Sequence, residues 1–464
     1  MKNGTANTEK VMRITAALLA GLIILGVIGS AVYSQICRSC KTVVPTAAEH
    51  DPGTLSDEEA ARQLAILPVT DGVSEWNQIA ATLSLLTSSA LAPIQQARAM
   101  AIVQVAVHDA VNGISGEYAT YLPRTAAPDG ASEEAAAIAA AHRALRNLFP
   151  GQAANLDGLY ADSLAAHNIS MSDPGLGYGE DIADAILAVR ANDGSAQAQF
   201  DYTPPGAGDP GVWTRINNAP ALLPGWGNVA TFVLKSGSQF RPDAPPALDT
   251  DTYTRDYNEI KQIGSTNSAS RTMLQSQIAL FWRASPTAIW NPVMHQALST
   301  RSFDLSATAR AYALFYLAAS DASVACWDAK YHYNSWRPQL AIRGGDTDGN
   351  PATEPDPTWT PFLPTPPHPE YPSGHATNSS AMAFVLEALF GERLETPISV
   401  TLAGITREWN TFDQGVDEVI DARVYSWIHF RNSDIVGARQ GRQVAQFVLT
   451  HTLKPCKGRG AVCS

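Results

Sequence analysis

Three separated stretches of the chain are rich in groups that hold an oxyanion. The first is Lys330-Tyr-His-Tyr-Asn-Ser-Trp-Arg337-Pro338, the second is Pro372-Ser373-Gly374-His375, and the third holds Arg423 and His429. Together they offer three cations, a serine beside a glycine, and two histidines. Fixed cations and hydrogen-bond donors are what a protein uses to bind a phosphate-like anion. An anion so held could be a substrate or a cofactor. Ser373 suits a helix N-cap, and Gly374 lets a ligand approach the backbone amides at a helix start, where the dipole favours negative charge. His375 then stands where a general acid or base could touch the anion.

Spacing suggests how the elements present these groups. Lys330 and Arg337 are seven residues apart, close to two helical turns. This predicts that both project from one helix face, with Pro338 ending the helix. Trp327 lies one turn before Lys330. Arg423 and His429 are six apart, which is not one face of a regular helix. A break is expected between them, with Arg423 at a helix end, His429 just before the next helix, and Asn432 or Ser433 capping that helix. Singly, each segment is ordinary: two cations on a helix are usually solvated and a lone histidine is usually core. All three in this order, each near a helix terminus, make a joint signal.

The chain around them reads as helical. Apolar residues recur at three- and four-residue spacing in Ala92–Asn112, Ala131–Leu148, Gly175–Ala191, Thr252–Ile263, Ser268–Arg283, Ser306–Trp336, Ala376–Phe390, Ile398–Asp421 and Ile435–Thr452. Residues 195–250 and Gly344–Pro372 are rich in Pro and Gly and read as long ordered loops. No alternating strand pattern of useful length and no repeat is present. The expected fold is all-α, two packed helical bundles forming one catalytic unit. The 464 residues, 45% hydrophobic and 16% charged, suffice for a large core. A net charge of −12 with no basic run argues against nucleic acid as a partner. It also makes the cationic trio a local exception.

At the amino terminus, Lys2, Lys10 and Arg13 precede an uncharged run from Ile14 to Tyr33. This reads as an export signal, cleaved after Ser34, in preference to an uncleaved membrane anchor. The expected organisation is residues 1–34 signal or anchor, 35–75 linker, 76–455 catalytic domain and 456–464 tail. The chain body would be periplasmic or secreted, touching a membrane only through an uncleaved amino-terminal segment; a homo-oligomer is compatible with this reading. Of five cysteines, Cys456 and Cys463 could close the tail, Cys37 and Cys40 could pair or lie in the linker, and Cys326 reads as a buried thiol. The acidic Asp346–Asn350 loop is too short and isolated to be a calcium-binding hand.

The pattern of Lys, six residues, Arg-Pro, then Pro-Ser-Gly-His, then Arg, five residues, His resembles the vanadium-dependent haloperoxidase and type 2 phosphatidic acid phosphatase superfamily. Trp76, Arg98, His108–Asn112, Pro210–Trp213 and Ala325–Pro338 are similar to the soluble, exported haloperoxidase branch, and the resemblance covers most of residues 76–452. It implies vanadate as cofactor, with hydrogen peroxide, a halide and an organic acceptor as reaction partners. Lys330, Arg337 and Arg423 would neutralise its equatorial oxygens, and Ser373 and the Gly374 amide would hydrogen-bond them. His429 would be the axial ligand to vanadium and His375 the acid/base. In a phosphatase the same cage would serve otherwise, with His429 attacking phosphorus and His375 protonating the leaving group. A secreted acid phosphatase acting on soluble phosphate monoesters is therefore the alternative. His368 lies seven residues before His375, where bromoperoxidases of the family carry histidine and chloroperoxidases an aromatic residue; with Trp327 it would form the halide pocket and favour bromide or iodide. Departures from the family are Ala422, Ser426 and Trp427 in the third segment, and Ser433 where an aspartate often follows the axial histidine by four residues, with Asp434 one later. Asp321 or Asp328 is then a candidate to steady the cations.

Overall fold

A computed structural model describes residues 61–65, 67–86 and 91–456. The amino-terminal hydrophobic segment, Cys37, Cys40 and Cys463 lie outside the described residues. Among the described residues no helix is long and apolar enough to cross a membrane.

The fold is helical. Helices α1 (Gly72–Leu86), α2 (Pro93–Ser115), α3 (Glu133–Leu148), α4 (Ala153–Ala166) and α5 (Pro174–Arg190) form the first bundle. A long loop with only 3-10 turns leads to α6 (Asp251–Gly264), α7 (Met273–Phe281) and α8 (Pro286–Ser299). Helices α9 (Leu305–Tyr333), α10 (Pro338–Arg343), α11 (Gly374–Phe390), α12 (Phe412–Ser426) and α13 (Arg431–His451) build the second half. The central 29-residue α9 packs against α2 on one side and against α11 and α13 on the other. One apolar core therefore runs through both bundles, from Trp76 and Met100 through Phe315 to Leu386 and Val444. Alanine lets these helices approach closely: every alanine of α3 is buried.

Four sequence expectations are corrected. The packed body begins before residue 76: Ala61 and Leu64 are fully buried, and α1 starts at Gly72 because Asp71 accepts the Ser74 amide at 2.8 Å. Helix α8 escaped notice because Pro292 sits inside it and reads as a breaker; its start is nevertheless well marked, by Ser285 accepting the Ala288 amide and by Pro286 in the first turn. Helix α4 likewise carries little sequence signal, because its apolar stripe is narrow. Finally, residues 398–409 are not helical. They form an antiparallel hairpin, β1 (Ile398–Leu402) paired with β2 (Ile405–Trp409) from Ile398↔Trp409 to Leu402↔Ile405. Ile398, Val400 and Leu402 face the core in alternation, and Ala403 and Gly404 both take positive φ (50° and 75°) in the two-residue turn.

The carboxyl end is tied back to the first bundle. Ala119 donates its amide to Lys454 O and Cys456 donates to Glu117 O, and Cys456 is disulfide-bonded. Cys326 is a buried free thiol, as its apolar setting foretold.

Candidate functional site

The three segments meet where α9, the start of α11 and the α12–α13 junction come together. Helix α9 ends earlier than expected. Asn334 takes a left-handed conformation (φ 52°) and its amide caps Lys330 O at 2.9 Å. Ser335 and Trp336 then run extended against Gly211–Trp213: Trp213 N donates to Asn334 O at 2.7 Å and Trp336 N to Gly211 O at 2.9 Å. Arg337 is thus the N-cap of α10, and Pro338 opens α10 instead of closing α9. Lys330 and Arg337 do not share a helix face; the extended turn brings Arg337 back over the end of α9. The Pro210–Trp213 turn holds that return in place.

The second segment begins α11. Ser373 is its N-cap, as expected, but its hydroxyl makes no capping bond and no well-aligned hydrogen bond, with the Asp434 carboxyl beside it. That fully buried Oγ can turn to a ligand. Helix α13 docks closely against this end of α11. A Cβ at Gly437 would stand 2.7 Å from Ser373 O, and one at Gly441 would stand 2.0 Å from Thr377 O, so only glycine allows the approach. His375 is half-buried in the first turn of α11, its Nε2 3.2 Å from Ala284 O in the α7–α8 connection.

The third segment has the expected break. Arg423 lies in the last turn of α12, Trp427 takes the left-handed C-cap conformation (φ 66°), and His429 precedes α13. The expected cap is corrected: Phe430 occupies the N-cap position with no side-chain cap. The first amides of α13 are satisfied from elsewhere, Asn432 N by Asp256 Oδ2 at 2.8 Å and Phe430 N by Glu370 Oε1 at 3.0 Å.

Main-chain carbonyls fix the cations. Lys330 Nζ donates to Pro369 O (3.0 Å), Glu370 O (2.8 Å) and Pro372 O (2.5 Å). Arg337 donates through Nε to His368 O (2.9 Å) and through Nη1 to Ile428 O (2.5 Å); Nη1 also lies 3.3 Å from His429 Nε2. Arg423 Nη1 donates to Trp282 O at 2.7 Å, while its Nε is buried without a partner. The hairpin helps here: Trp409 stacks on Trp290 and packs on Trp282, whose carbonyl holds Arg423. His368 contacts Arg337 Nη2 through Nδ1 (2.8 Å) and packs on Trp327, ring centroids 4.9 Å apart. Trp327 is anchored by Nε1 donating to Leu222 O.

The carboxylates proposed to steady the cations do other work. Asp321 accepts the amides of Phe232, Val233 and Leu234, and Asp328 pairs with Arg241. The carboxyl group that touches the third segment is Glu370, which the sequence reading overlooked. Its Oε1 lies 2.9 Å from His429 Nδ1. Its one sequence signal was position, an acid inside a proline-rich loop three residues before Ser373.

Electrostatics test whether an oxyanion fits. Burial pushes Lys330 down to about 7 and Arg337 down to about 10, and Arg423 is lowered for the same reason. His375 and His429 are held well below the ordinary histidine value by burial and by the neighbouring cations, so both rings are neutral. Burial raises Glu370 to about 7 and Asp434 well above the usual carboxylate range. Three buried cations and two reluctant carboxyls leave local positive charge undercompensated. A bound oxyanion would restore every cation and also partner Ser373 Oγ and Arg423 Nε. The donor set thus fits vanadate or phosphate: cations, a hydroxyl, the amides at the start of α11, and one bare imidazole nitrogen. Among the described residues no cluster of three His, Cys, Asp or Glu is placed to hold a metal cation.

Fold and site therefore define a helical-bundle protein with a buried oxyanion cage. Comparison with known proteins shows what the chain resembles. Residues 310–458 match the family described as the VCPO second helical-bundle domain. The vanadium chloroperoxidase of Curvularia inaequalis is 25% identical over 413 residues, spanning 70% of this chain and 67% of that one. Among solved structures, a bacterial vanadium-dependent iodoperoxidase superposes with TM-score 0.70 at 27% identity, covering 84% of this chain and 99% of its own. An apo-type bacterial vanadium-dependent chloroperoxidase gives TM-score 0.63 at 19% identity, over 78% of this chain and 95% of its own, a likeness of fold. The chain is thus similar to vanadium haloperoxidases in sequence and fold, and residues 310–458 match their second helical-bundle domain.

Proposed function

We propose that this enzyme uses vanadate to oxidise a halide with hydrogen peroxide, giving hypohalous acid that halogenates an organic acceptor, with bromide or iodide preferred over chloride. The observation that carries the reading is the convergence of Lys330, Arg337 and Arg423 with the buried Ser373 Oγ, which caps no amide, and the His429 Nε2 edge. Bound vanadate would supply an electrophilic oxyanion centre that activates peroxide without changing oxidation state.

The chain's own residues set the conditions. Lys330, Arg337 and Arg423 hold the negative charge and draw electron density toward themselves in a site shielded from water. Ser373 Oγ and the Gly374 amide orient its oxygens. His429, whose Nε2 faces Arg337, would hold the bound group through that nitrogen. His375, neutral and half-buried, accepts a proton from the incoming peroxide and returns it later. His368 and Trp327 form one wall beside Arg337, where a soft, polarisable halide suits an imidazole and indole surface. The preference for bromide or iodide rests on His368 alone.

The test uses purified protein stripped of oxyanions. Bromination and iodination of a dione dye are assayed with peroxide, with and without vanadate, beside hydrolysis of an aryl phosphate. Halogenation that appears only with vanadate is the expected result, with bromide and iodide turned over faster than chloride. Phosphate hydrolysis through a phosphohistidine at His429, with no halogenation in the presence of vanadate, would replace this reading with the phosphatase one.

A further inference from the structure

We infer that Glu370 is the positioning residue of the axial histidine. It holds His429 in the tautomer and orientation that aim Nε2 at the oxyanion, in place of an aspartate on the histidine's own helix. The inference rests on the vanadate reading above.

Glu370 Oε1 lies 2.9 Å from His429 Nδ1 and accepts the Phe430 amide at 3.0 Å. One oxygen thus restrains both the ring and the backbone that carries it. Both side chains are almost wholly shielded, with 2% and 3% of their surface exposed, so no water competes for the contact. Oε1 already accepts the Phe430 amide and so faces the ring as an acceptor, which places the proton on Nδ1. On the opposite edge of the ring, Arg337 Nη1 stands 3.3 Å from Nε2. A guanidinium can only donate, so Nε2 must present its lone pair. Two independent neighbours therefore specify one tautomer, the one that can bond an electrophilic centre through Nε2.

The rest of Glu370 fixes where this carboxylate sits. Its amide donates to Ser335 O at 2.9 Å, in the extended turn that delivers Arg337. Its carbonyl accepts from Lys330 Nζ at 2.8 Å. Glu370 thus touches the first and third segments directly and stands three residues from Ser373 in the second. The residue four after the histidine is Ser433, which carries no charge. Asp434 is buried beside Arg423 and Ser373, and neither of its oxygens is hydrogen-bonded to His429. The carboxylate partner of the histidine has come from a loop 59 residues away.

A carboxylate behind a ligating histidine orients the ring and raises its basicity, and its loss typically costs about 10–100-fold in affinity for the ligated centre. It should act oppositely on an anion that takes no axial bond, because a negative charge near a cationic cage repels it. The experiment compares vanadate and inorganic phosphate binding, by calorimetry at pH 8, in the wild-type chain, Glu370→Gln and His429→Ala. For Glu370→Gln, vanadate affinity should fall about 10-fold or more while phosphate affinity holds or rises. Unchanged vanadate affinity would overturn the inference, and so would a parallel loss of both anions, which would make Glu370 merely part of the scaffold. His429→Ala separates the two levels: if it leaves vanadate affinity untouched, the axial-ligand reading itself fails. A second measurement needs no variant. Nitrogen-15 spectra of histidine-labelled wild type should show His429 as the Nδ1–H tautomer, and finding the proton on Nε2 would also overturn the inference.

Discussion

At the scale of single residues, the site is a problem of unpaired charge. Lys330, Arg337 and Arg423 are each at most 3% exposed, and each is held mainly by carbonyl oxygens instead of carboxylates. Neutralising one of them removes a desolvated partner of the anion, an effect on the order of 2–5 kcal/mol. Lys330→Met and Arg423→Gln should therefore each weaken vanadate and phosphate binding by roughly 30-fold or more, read by calorimetry; wild-type affinity in either would remove that cation from the cage. These residues were legible in the sequence by type. Their partners were not: that Arg337 lies on Ile428 O and near His429 depends on a turn that no periodicity announces. Glu370 was invisible for the same reason, since its chemistry arises from a contact spanning 59 residues.

At the scale of elements, close packing and buried ion pairs set the site's precision. Gly441 lets α13 lie against the Thr377 carbonyl, and a Cβ there would overlap backbone that cannot yield. Gly441→Ala should destabilise the fold by about 1–3 kcal/mol through overpacking, measured by chemical denaturation, and should also weaken anion binding because the start of α11 shifts. A second test concerns α1, α3 and α4. His167, after α4, lies 3.1 Å from Glu75 and 2.9 Å from Glu134, one carboxylate on each ring nitrogen. Those hydrogen bonds require the doubly protonated ring and raise its pKa from 6.5 to about 10. A group bound more tightly to its proton when folded stabilises the fold fully below the unfolded pKa, and that contribution is lost as pH rises through the folded one. His167→Gln should accordingly cost stability at pH 6 and progressively less from about pH 7 to pH 10. A penalty independent of pH would show that the contact is packing alone.

At the scale of the whole molecule, the cage is a cationic island in a chain of net charge −12. Binding an oxyanion relieves repulsion among buried cations joined to both halves of the core, so stability and occupancy are linked. Vanadate or phosphate at about 100 times Kd should add roughly 2.7 kcal/mol of stability, seen as a raised Tm, and the shift should shrink in Lys330→Met. The amino-terminal segment poses a separate question. If it is the export signal proposed from Lys2 to Ser34, protein recovered from its native host should begin after Ser34 on amino-terminal sequencing; retention of Met1 with the membrane fraction would mean an anchor instead.

Composition and periodicity alone determined the helical class, because a 3.6-residue apolar rhythm in an alanine-rich chain leaves few other ways to bury its surface. Residue type alone pointed to the proposed ligand class, because cations, a serine–glycine helix start and histidines suit an oxyanion whatever the path between them. Tertiary structure decided the rest. Residues 398–409 became a hairpin because a two-residue turn and packing on Trp282 and Trp290 outweighed a short ambiguous apolar run. Arg337 left the helix of Lys330 because Asn334 ends α9 and Gly211–Trp213 offers its backbone to residues 334–336. Glu370 reached His429 because the loop before α11 is pinned to Lys330 and Ser335 at once. Local sequence carries local preference, whereas these contacts join residues far apart in the chain, and their energies exist only once the core has brought them together.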